Sequence, residues 1–548
     1  ESERGKIQRN GNANWNEKAL DITFSTDSLD VGNQFGSVKQ STYITSLGEF
    51  KTNNYNDISG FELARFTSRN FQINDTTLSL VELEASAQNN IISQDFVIEA
   101  KNGHLEGSGT IDLSTENKKI DIRGVGNNLD LKYLSQITNM AQVVADIRYS
   151  AQFEGNTIDD IVGRIDVQVP LSTSNGDTLK PQLLYADIAN TSANNRSLRI
   201  TTTALDLSLE GDFLLSNFAT SFTYWGNYFS ERVKEEFFIS NIEVEKPLGY
   251  KKVVSQDFSL TAQLKDIGLI KQYFPNLPSI TTSSRLSSNI IMDESRLLFN
   301  ADFYDDKLQV DDYKADTLRT QLTGSFRYNS TFKGFSDFLV STSIQHLETP
   351  YIDTRGFNFD MELKKDTVEV TTSIGKVGED AKLKLHANGS FTDSTISVNI
   401  DDFDLGSDVY SWTNKGVPSL TYTQDEQLIF NDFTFQNLEE FFSVEGAFSE
   451  SVEDSVNYLF RGVRLDRISE LVNGKIAFGG NLNGSFTTRT LTKVPTIEGT
   501  IDLEALSLNN QIVGDFEISI NFYQDKNRFD TNINVYIDST IYTSYFER

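Results

Sequence analysis

Apolar and polar residues alternate with a period of two along most of this chain. Leu20, Ile22 and Phe24 are separated by Asp21 and Thr23, and the same alternation returns at 205–209, 357–363 and 516–522. Successive side chains of a β-strand point to opposite faces of the sheet, so this spacing predicts strands with one apolar face and one solvated face.

Short polar segments separate the predicted strands, for example 364–366 and 524–527. Polar turns of this length join antiparallel neighbours. At 129–134, 264–270 and 463–468 the apolar spacing changes from two towards three or four, which predicts short helical segments. The predicted fold class is all-β: a long antiparallel meander, curled into an elongated, twisted hydrophobic trough, with a few short helices.

A glycine recurs within strands, two residues after an apolar residue and two before Phe or Ile. Glycine in phase with the apolar residues removes a side chain from the inner face and allows the sheet to bend. The alternative is that these are ordinary strand glycines. We interpret them as bends in the sheet, at Gly211, Gly324, Gly389, Gly446, Gly484 and Gly499.

The chain has 548 residues, which exceeds what one compact core usually organises, but only 8 prolines and no Pro/Gly/Ser-rich linker. We therefore predict one continuous repetitive β-groove segment over 1–548. About 13 residues per strand and turn would give roughly 40 strands, on the order of 190 Å of stacked sheet. The alternative is a structural or adhesive surface protein built from β-sandwiches. Immunoglobulin-type modules would each have a core tryptophan, and the chain has only three, which argues against this alternative.

Charge and cysteine content exclude several classes of function. The 78 acidic residues outnumber 48 Lys and Arg, giving a net charge of −30, which argues against a nucleic-acid partner. We interpret this negative charge as a means of keeping a long sheet soluble, because charged edges do not pair with one another. The alternative is that the acidic residues bind cations. The absence of cysteine excludes disulfides and thiol catalysis.

No arrangement of residues typical of catalysis is found in the sequence. His104, His346 and His386 are scattered without metal-ligand spacing, and the acidic run at 401–404 lacks the spaced glycine loop of a calcium site. We predict that the chain is not an enzyme, has no catalytic or metal site, and needs no cofactor.

An apolar trough without protein to fill it suits acyl chains, each methylene of which gains about 0.8 kcal/mol on burial. We therefore expect a two-chain lipid as the ligand. The positions predicted to line the groove are Leu207, Phe359, Leu385, Phe478, Ile518 and Val535.

Several segments resemble a known family. They are Asn-Leu-Asp-Leu at 128–131, Leu-Asp-Leu-Ser-Leu-Glu-Gly-Asp-Phe at 205–213, Gly-Gly-Asn-Leu-Asn-Gly-Ser-Phe at 479–486, Val-Pro-Thr-Ile-Glu-Gly-Thr-Ile-Asp-Leu at 494–503 and Leu-Ser-Leu at 506–508. These resemble the translocation and assembly module subunit TamB and its AsmA-like relatives, most closely between 470 and 538.

The resemblance implies a non-enzymatic bridge in the periplasm of a Gram-negative cell envelope. Such a protein is anchored in the inner membrane, here through a segment outside this chain, and carries phospholipid to the outer membrane in its groove. It also implies a BamA/TamA-type barrel as an outer-membrane partner. The alternative function is an adaptor or chaperone that works with that barrel in the assembly of outer-membrane proteins. Because the chain begins without Met or a signal sequence, we expect it to be part of a longer protein.

Overall fold

The computed structural model is dominated by β-strands. It describes residues 6–14, 16–30, 42–54, 61–73, 76–100, 103–131, 140–174, 176–192, 195–236, 254–265, 267–274, 280–281, 283–327, 335–350, 353–377, 380–392, 394–408, 410–451, 453–467, 477–489, 496–523, 528–537 and 540–547. These residues form 34 strands and two helices, α1 (Leu215–Glu236) and α2 (Ile267–Tyr273). The predicted all-β class is confirmed.

Contacts divide the chain into two compact units. Unit 1 comprises Glu1–Phe218 and Asp257–Thr281, and unit 2 comprises Ala219–Gln256 and Thr282–Arg548. The prediction of one continuous segment over 1–548 stays a prediction. The strands of unit 1, the first residue of β15 excepted, are β1 (Lys6–Asn14), β2 (Ala19–Asp30), β3 (Thr42–Thr52), β4 (Phe61–Ile73), β5 (Thr76–Gln88), β6 (Ile91–Ala100), β7 (Gly103–Asp112), β8 (Lys119–Asp130), β9 (Val143–Glu154), β10 (Val162–Ser174), β11 (Asp177–Leu179), β12 (Gln182–Asn190), β13 (Arg196–Thr202), β14 (Leu205–Asp212), β15 (Gln256–Leu264) and β16 (Ile280–Thr281).

Unit 2 contains the remaining strands. They are β17 (Arg285–Met292), β18 (Arg296–Val310), β19 (Tyr313–Arg327), β20 (Phe335–Glu348), β21 (Asp353–Lys365), β22 (Thr367–Val377), β23 (Ala381–Phe391), β24 (Thr395–Gly406), β25 (Ser411–Asn414), β26 (Ser419–Thr423), β27 (Leu428–Asn437), β28 (Glu440–Phe448), β29 (Ser455–Arg464), β30 (Phe478–Arg489), β31 (Thr496–Leu508), β32 (Gln511–Tyr523), β33 (Arg528–Ile537) and β34 (Thr540–Glu547).

Strands in each unit pair antiparallel with their neighbours in sequence. In unit 1 the order departs from this where β10 pairs with both β11 and β12. In unit 2 the short strands β25 and β26 both pair with β24. The predicted antiparallel meander is therefore confirmed within each unit.

Turn and bulge positions set the register of these hairpins. The predicted turn at 364–366 joins β21 to β22, with Lys364 paired to Thr367, whereas the turn predicted at 524–527 lies outside the described residues. Register shifts interrupt several pairs, for example between Phe430 and Phe433 on β27 and between Phe460 and Val463 on β29. A bulge adds one residue to a strand, so it reverses which later residues face inwards.

The helices only partly follow the sequence prediction. α2 lies at the predicted segment near 264–270. Residues 131 and 465–467 are helical, and the last residues of these two predicted segments, 132–134 and 468, lie outside the described residues. α1, with 22 residues, was not predicted. Its buried residues Ser221, Tyr224, Trp225 and Tyr228 have the three- and four-residue spacing of a helix that packs on one face.

Candidate functional site

The apolar side chains of unit 1 lie in cross-strand rows on one face of its sheet. Directly paired residues of antiparallel strands share a face. Starting at Leu207, successive pairs give one row over fourteen strands: Gly11, Ile22, Phe50, Ala64, Ala85, Gln94, Gly109, Ile122, Ala151, Ile165, Ala186, Ile200, Leu207 and Ala262. All but Gln94 are apolar or glycine, so the apolar face is continuous across the unit.

Unit 2 has an equivalent face, made of two rows. The first row runs from β17 to β24 and the second from β27 to β33, and the rings of Phe403 and Phe435 join them with centroids 4.7 Å apart. The rows are Leu286, Phe303, Thr320, Thr342, Phe359, Thr372, Leu385 and Phe403, then Phe435, Phe442, Phe460, Gly484, Ile501, Ile518 and Ile533.

Four of the six predicted groove residues lie on this face of unit 2. Phe359 and Leu385 belong to one row, with Thr372 between them. Ile518 and Val535 lie on the same face, since Val535 is two residues from Ile533, the partner of Ile518. The structure therefore brings these four residues onto one face, although it separates them along the sheet.

The other two predicted residues have different surroundings. Leu207 lies in the row of unit 1, paired with Ile200 and Ala262. Phe478 is paired with Leu508 at the start of β30, beyond a register shift that separates it from Asn481. Its side chain is 47% exposed, so Phe478 lies at the margin of the sheet and outside the two rows.

The apolar faces are half-buried. Leu207, Phe359, Leu385, Ile518 and Val535 are all of intermediate exposure. In a face packed against a second layer such side chains would be closed off from solvent, as interiors are close-packed. Intermediate exposure is consistent with a sheet that curls around its own apolar face and leaves space beside it.

Rings fill the space left by several glycines on these faces. A Cβ on Gly324 would lie 2.5 Å from Cζ of Phe299, and one on Gly107 would lie 2.6 Å from Cζ of Phe96. A cavity of about 430 Å³ is lined by residues of β17–β21, among them Phe299, Gly324 and Phe338. Gly324 and Gly107 thus allow close approach of an aromatic ring, a role that the sequence pattern did not reveal. At Gly211, Gly446 and Gly484 a Cβ would instead meet a backbone carbonyl oxygen of the neighbouring strand. The predicted bending stays a prediction.

Nine aromatic residues form a connected group on the apolar face of unit 2, which we call the aromatic belt. Consecutive ring centroids lie 4.4–5.9 Å apart, and the cross-strand pair of Phe435 with Phe442 joins its two halves. All nine rings are half-buried. The aromatic belt consists of Phe403, Phe430, Phe433, Phe435, Phe442, Phe448, Tyr458, Phe460 and Phe486.

Helix α1 packs against the margin of unit 2. The hydroxyl of Tyr224 donates to the carbonyl of Glu294 (3.2 Å), and the indole N–H of Trp225 donates to the carbonyl of Asp293 (3.1 Å). The ring of Phe229 meets that of Phe326 edge-on at 5.6 Å. Tyr224 and Trp225 are almost fully buried, so the helix covers this end of the apolar face.

Charged residues occupy the opposite, solvated faces. In unit 1, Arg65 binds Glu84 at 2.8 Å, which raises the pKa of Arg65. In unit 2, hydrogen bonds from Arg319 and Gln321 hold the pKa of Asp302 below its ordinary value. The partition between apolar and charged faces is therefore maintained in both units.

The histidines also lie among carboxylates on the solvated faces. His346 contacts Asp353 at 2.9 Å and Asp316 at 3.3 Å, and His104 contacts Glu106 at 3.4 Å. In the part of the chain that the structure describes, no group of three or more His, Cys, Asp or Glu side chains is placed to hold a metal ion. No described helix has both the length and the apolar character needed to cross a membrane.

These features define the class of each unit: an all-β antiparallel meander with one largely apolar face and one charged face. Comparison of the chain with models of protein families, with curated proteins and with solved structures finds no match. The assignment of a function therefore depends on the faces themselves and on the sequence resemblance described above.

Proposed function

We propose that this chain is a non-enzymatic lipid carrier that holds phospholipid acyl chains along its apolar faces. The observation that supports this most strongly is the largely apolar face of each unit, which the protein itself leaves half-buried. Its row in unit 1 is apolar or glycine except at Gln94, and its two rows in unit 2 are interrupted by threonine at three of fifteen positions. An acyl chain laid on such a face removes apolar surface from water at about 25 cal/mol per Å². Because this face extends over many strands, a bound lipid has several positions open to it and can slide between them.

The resemblance to TamB and its AsmA-like relatives supports a location for this carrier. We propose that it works in the periplasm of a Gram-negative envelope, anchored to the inner membrane outside this chain, and passes phospholipid between inner and outer membranes. A BamA/TamA-type barrel is the proposed outer-membrane partner. No cofactor or nucleic acid takes part in this function.

The first test is mass spectrometry of organic extracts from the purified chain. Phospholipid should be enriched over a control protein from the same preparation, because acyl chains would cover the half-buried faces during purification. A chain that is free of lipid in repeated preparations would contradict the carrier function and favour the adaptor alternative.

The second test places charge on the apolar face. In Phe359→Asp with Ile518→Asp, copurified lipid and cell-envelope integrity should fall, because each carboxylate must be desolvated beside an acyl chain. The matched control is Asn358→Asp with Ser519→Asp, one residue along each strand and on the solvated face. If both double variants keep the lipid content of the unmodified chain, the apolar face is not the binding surface.

A further inference from the structure

Two neighbouring turns at one end of the aromatic belt carry five carboxylates. The connection between β26 and β27 contains Asp425 and Glu426, and that between β28 and β29 contains Glu450, Glu453 and Asp454. The turns lie side by side, since the Gln427 side-chain amide donates to Asp454 at 2.9 Å. Neither turn contains Lys or Arg, and the nearest cation on the paired strand is Arg489, opposite Ser455. We call this pair of turns the acidic rim.

The aromatic belt begins directly at the acidic rim. Gln427 is followed by Leu428, which is paired with Phe448 of the belt, and Phe430 lies two residues further along β27. Asp454 precedes β29, which contributes Tyr458 and Phe460 to the belt. The same strands, β27 to β29, therefore connect the negative charge of the acidic rim to the rings of the aromatic belt.

A buried hydroxyl lies on the same face near the acidic rim. Thr488 is paired with Val456, two residues after Asp454, and its side chain is only 4% exposed. Its Oγ1 has no hydrogen-bond partner among the described residues. An unpartnered buried hydroxyl carries a desolvation cost, which an acceptor oxygen of a ligand would relieve.

We propose that the acidic rim and the aromatic belt form a binding station for a two-chain phospholipid with an ammonium headgroup, such as phosphatidylethanolamine. This rests on the proposed function and names its preferred lipid class. The ammonium lies at the rim carboxylates, with which it is complementary in charge. The acyl chains lie on the belt, and Thr488 donates to an ester or phosphate oxygen. An anionic headgroup without an ammonium is repelled by the same five carboxylates.

The test loads the purified full chain from vesicles of phosphatidylethanolamine and phosphatidylglycerol in equal amounts with identical acyl chains. Protein-bound lipid is then separated and the ratio of the two classes is measured by mass spectrometry. We expect roughly threefold enrichment of phosphatidylethanolamine, the scale of exposed charge pairs. The enrichment should shrink when the salt concentration is raised to about 1 M, where the screening length is about 3 Å.

Variants assign the preference to the acidic rim. In D425N/E426Q/E453Q the ratio should approach one while the total amount of bound lipid is unchanged. The matched control D432N/E445Q/E498Q also removes three charges, from the solvated side of β27, β28 and β31, and should keep the enrichment.

Equal loading of the two lipids by the unmodified chain, or equal loss of enrichment in both variants, would overturn the binding station and leave the carrier function intact. Failure to load either lipid would contradict the carrier function itself. The two proposals are therefore separated by the same measurement.

Discussion

At the scale of single residues, glycines on the apolar face work together with aromatic rings. The ring of Phe299 occupies the place of a side chain on Gly324 and also packs against Phe326 and Phe338, with centroids 5.9 and 6.2 Å away. The ring cannot move aside without losing these contacts. A glycine facing such a ring thus shapes the local packing of the sheet, and any added side chain must displace the ring.

Replacement of Gly324 by Ala should destabilise unit 2 locally by about 1–3 kcal/mol, because the new methyl group overlaps the Phe299 ring. Hydrogen exchange of the amides in β18–β20 measures this as faster opening.

The matched control for this substitution is Gly226→Ala in α1. A Cβ at Gly226 meets nothing within 4 Å, so alanine should stabilise the helix by up to about 1 kcal/mol. Equal protection of β18–β20 in Gly324→Ala and the unmodified chain would contradict the packing of the Phe299 ring on this glycine.

At the scale of elements, α1 is held to the turn between β17 and β18 by polar as well as apolar contacts. Burial raises the pKa of Asp293 in that turn, but hydrogen bonds from Ser295 and Arg296 outweigh it and leave the pKa below its ordinary value. The carboxylate thus orders the turn whose carbonyls accept the hydrogen bonds from Tyr224 and Trp225. The helix depends on the geometry of this turn.

Removal of the hydroxyl in Tyr224→Phe should loosen α1 without unfolding the sheet. The lost hydrogen bond to Glu294 contributes about 1 kcal/mol, which corresponds to roughly fivefold faster exchange of the helix amides. Hydrogen exchange resolved by mass spectrometry measures this change.

Thr223→Ala is the matched control, because Thr223 is exposed on the neighbouring position of the same helix. In Thr223→Ala, hydrogen exchange of the α1 amides should be unchanged or slower, because alanine favours the helical conformation. If the two variants exchange alike, the hydrogen bond of Tyr224 does not hold α1 in place.

At the scale of the whole molecule, each unit is built almost entirely from contacts between sequence neighbours. Strand pairing follows chain order from β1 to β10 and from β17 to β24. In such linear arrangements stability is close to a sum of local terms. The effect of a destabilising substitution should therefore decay along the chain.

Gly48→Val tests this locality. The added side chain overlaps the ring of Phe24 on the neighbouring strand, so amides of β2–β4 should exchange faster while those of β27–β32 keep their protection. A uniform loss of protection throughout the chain would show that the protein unfolds as one cooperative unit.

The sequence alone determined the features that depend on local spacing. The alternation of Phe357, Phe359 and Met361 with polar residues was enough to predict strand β21 and its apolar face, because the period of two is fixed by strand geometry. The hairpin turn after Lys364 followed from its polar residues. The spacing of Ser221, Tyr224, Trp225 and Tyr228 also contained a helical signal, which aromatic strand-forming residues obscured.

Only the tertiary structure decided which of these residues meet. Ile518 and Val535 share a face with Phe359 because of bulges in β24, β27 and β29. Insertion or deletion of a single bulge residue would move every later side chain to the opposite face of the sheet. The same register places the rings of the aromatic belt together and sets Phe299 over Gly324. Phe478 has the same apolar character as the other predicted groove residues, yet it lies exposed at a strand end. The cross-strand register depends on interactions among many residues that are distant in sequence, so the local spacing of apolar residues cannot determine it.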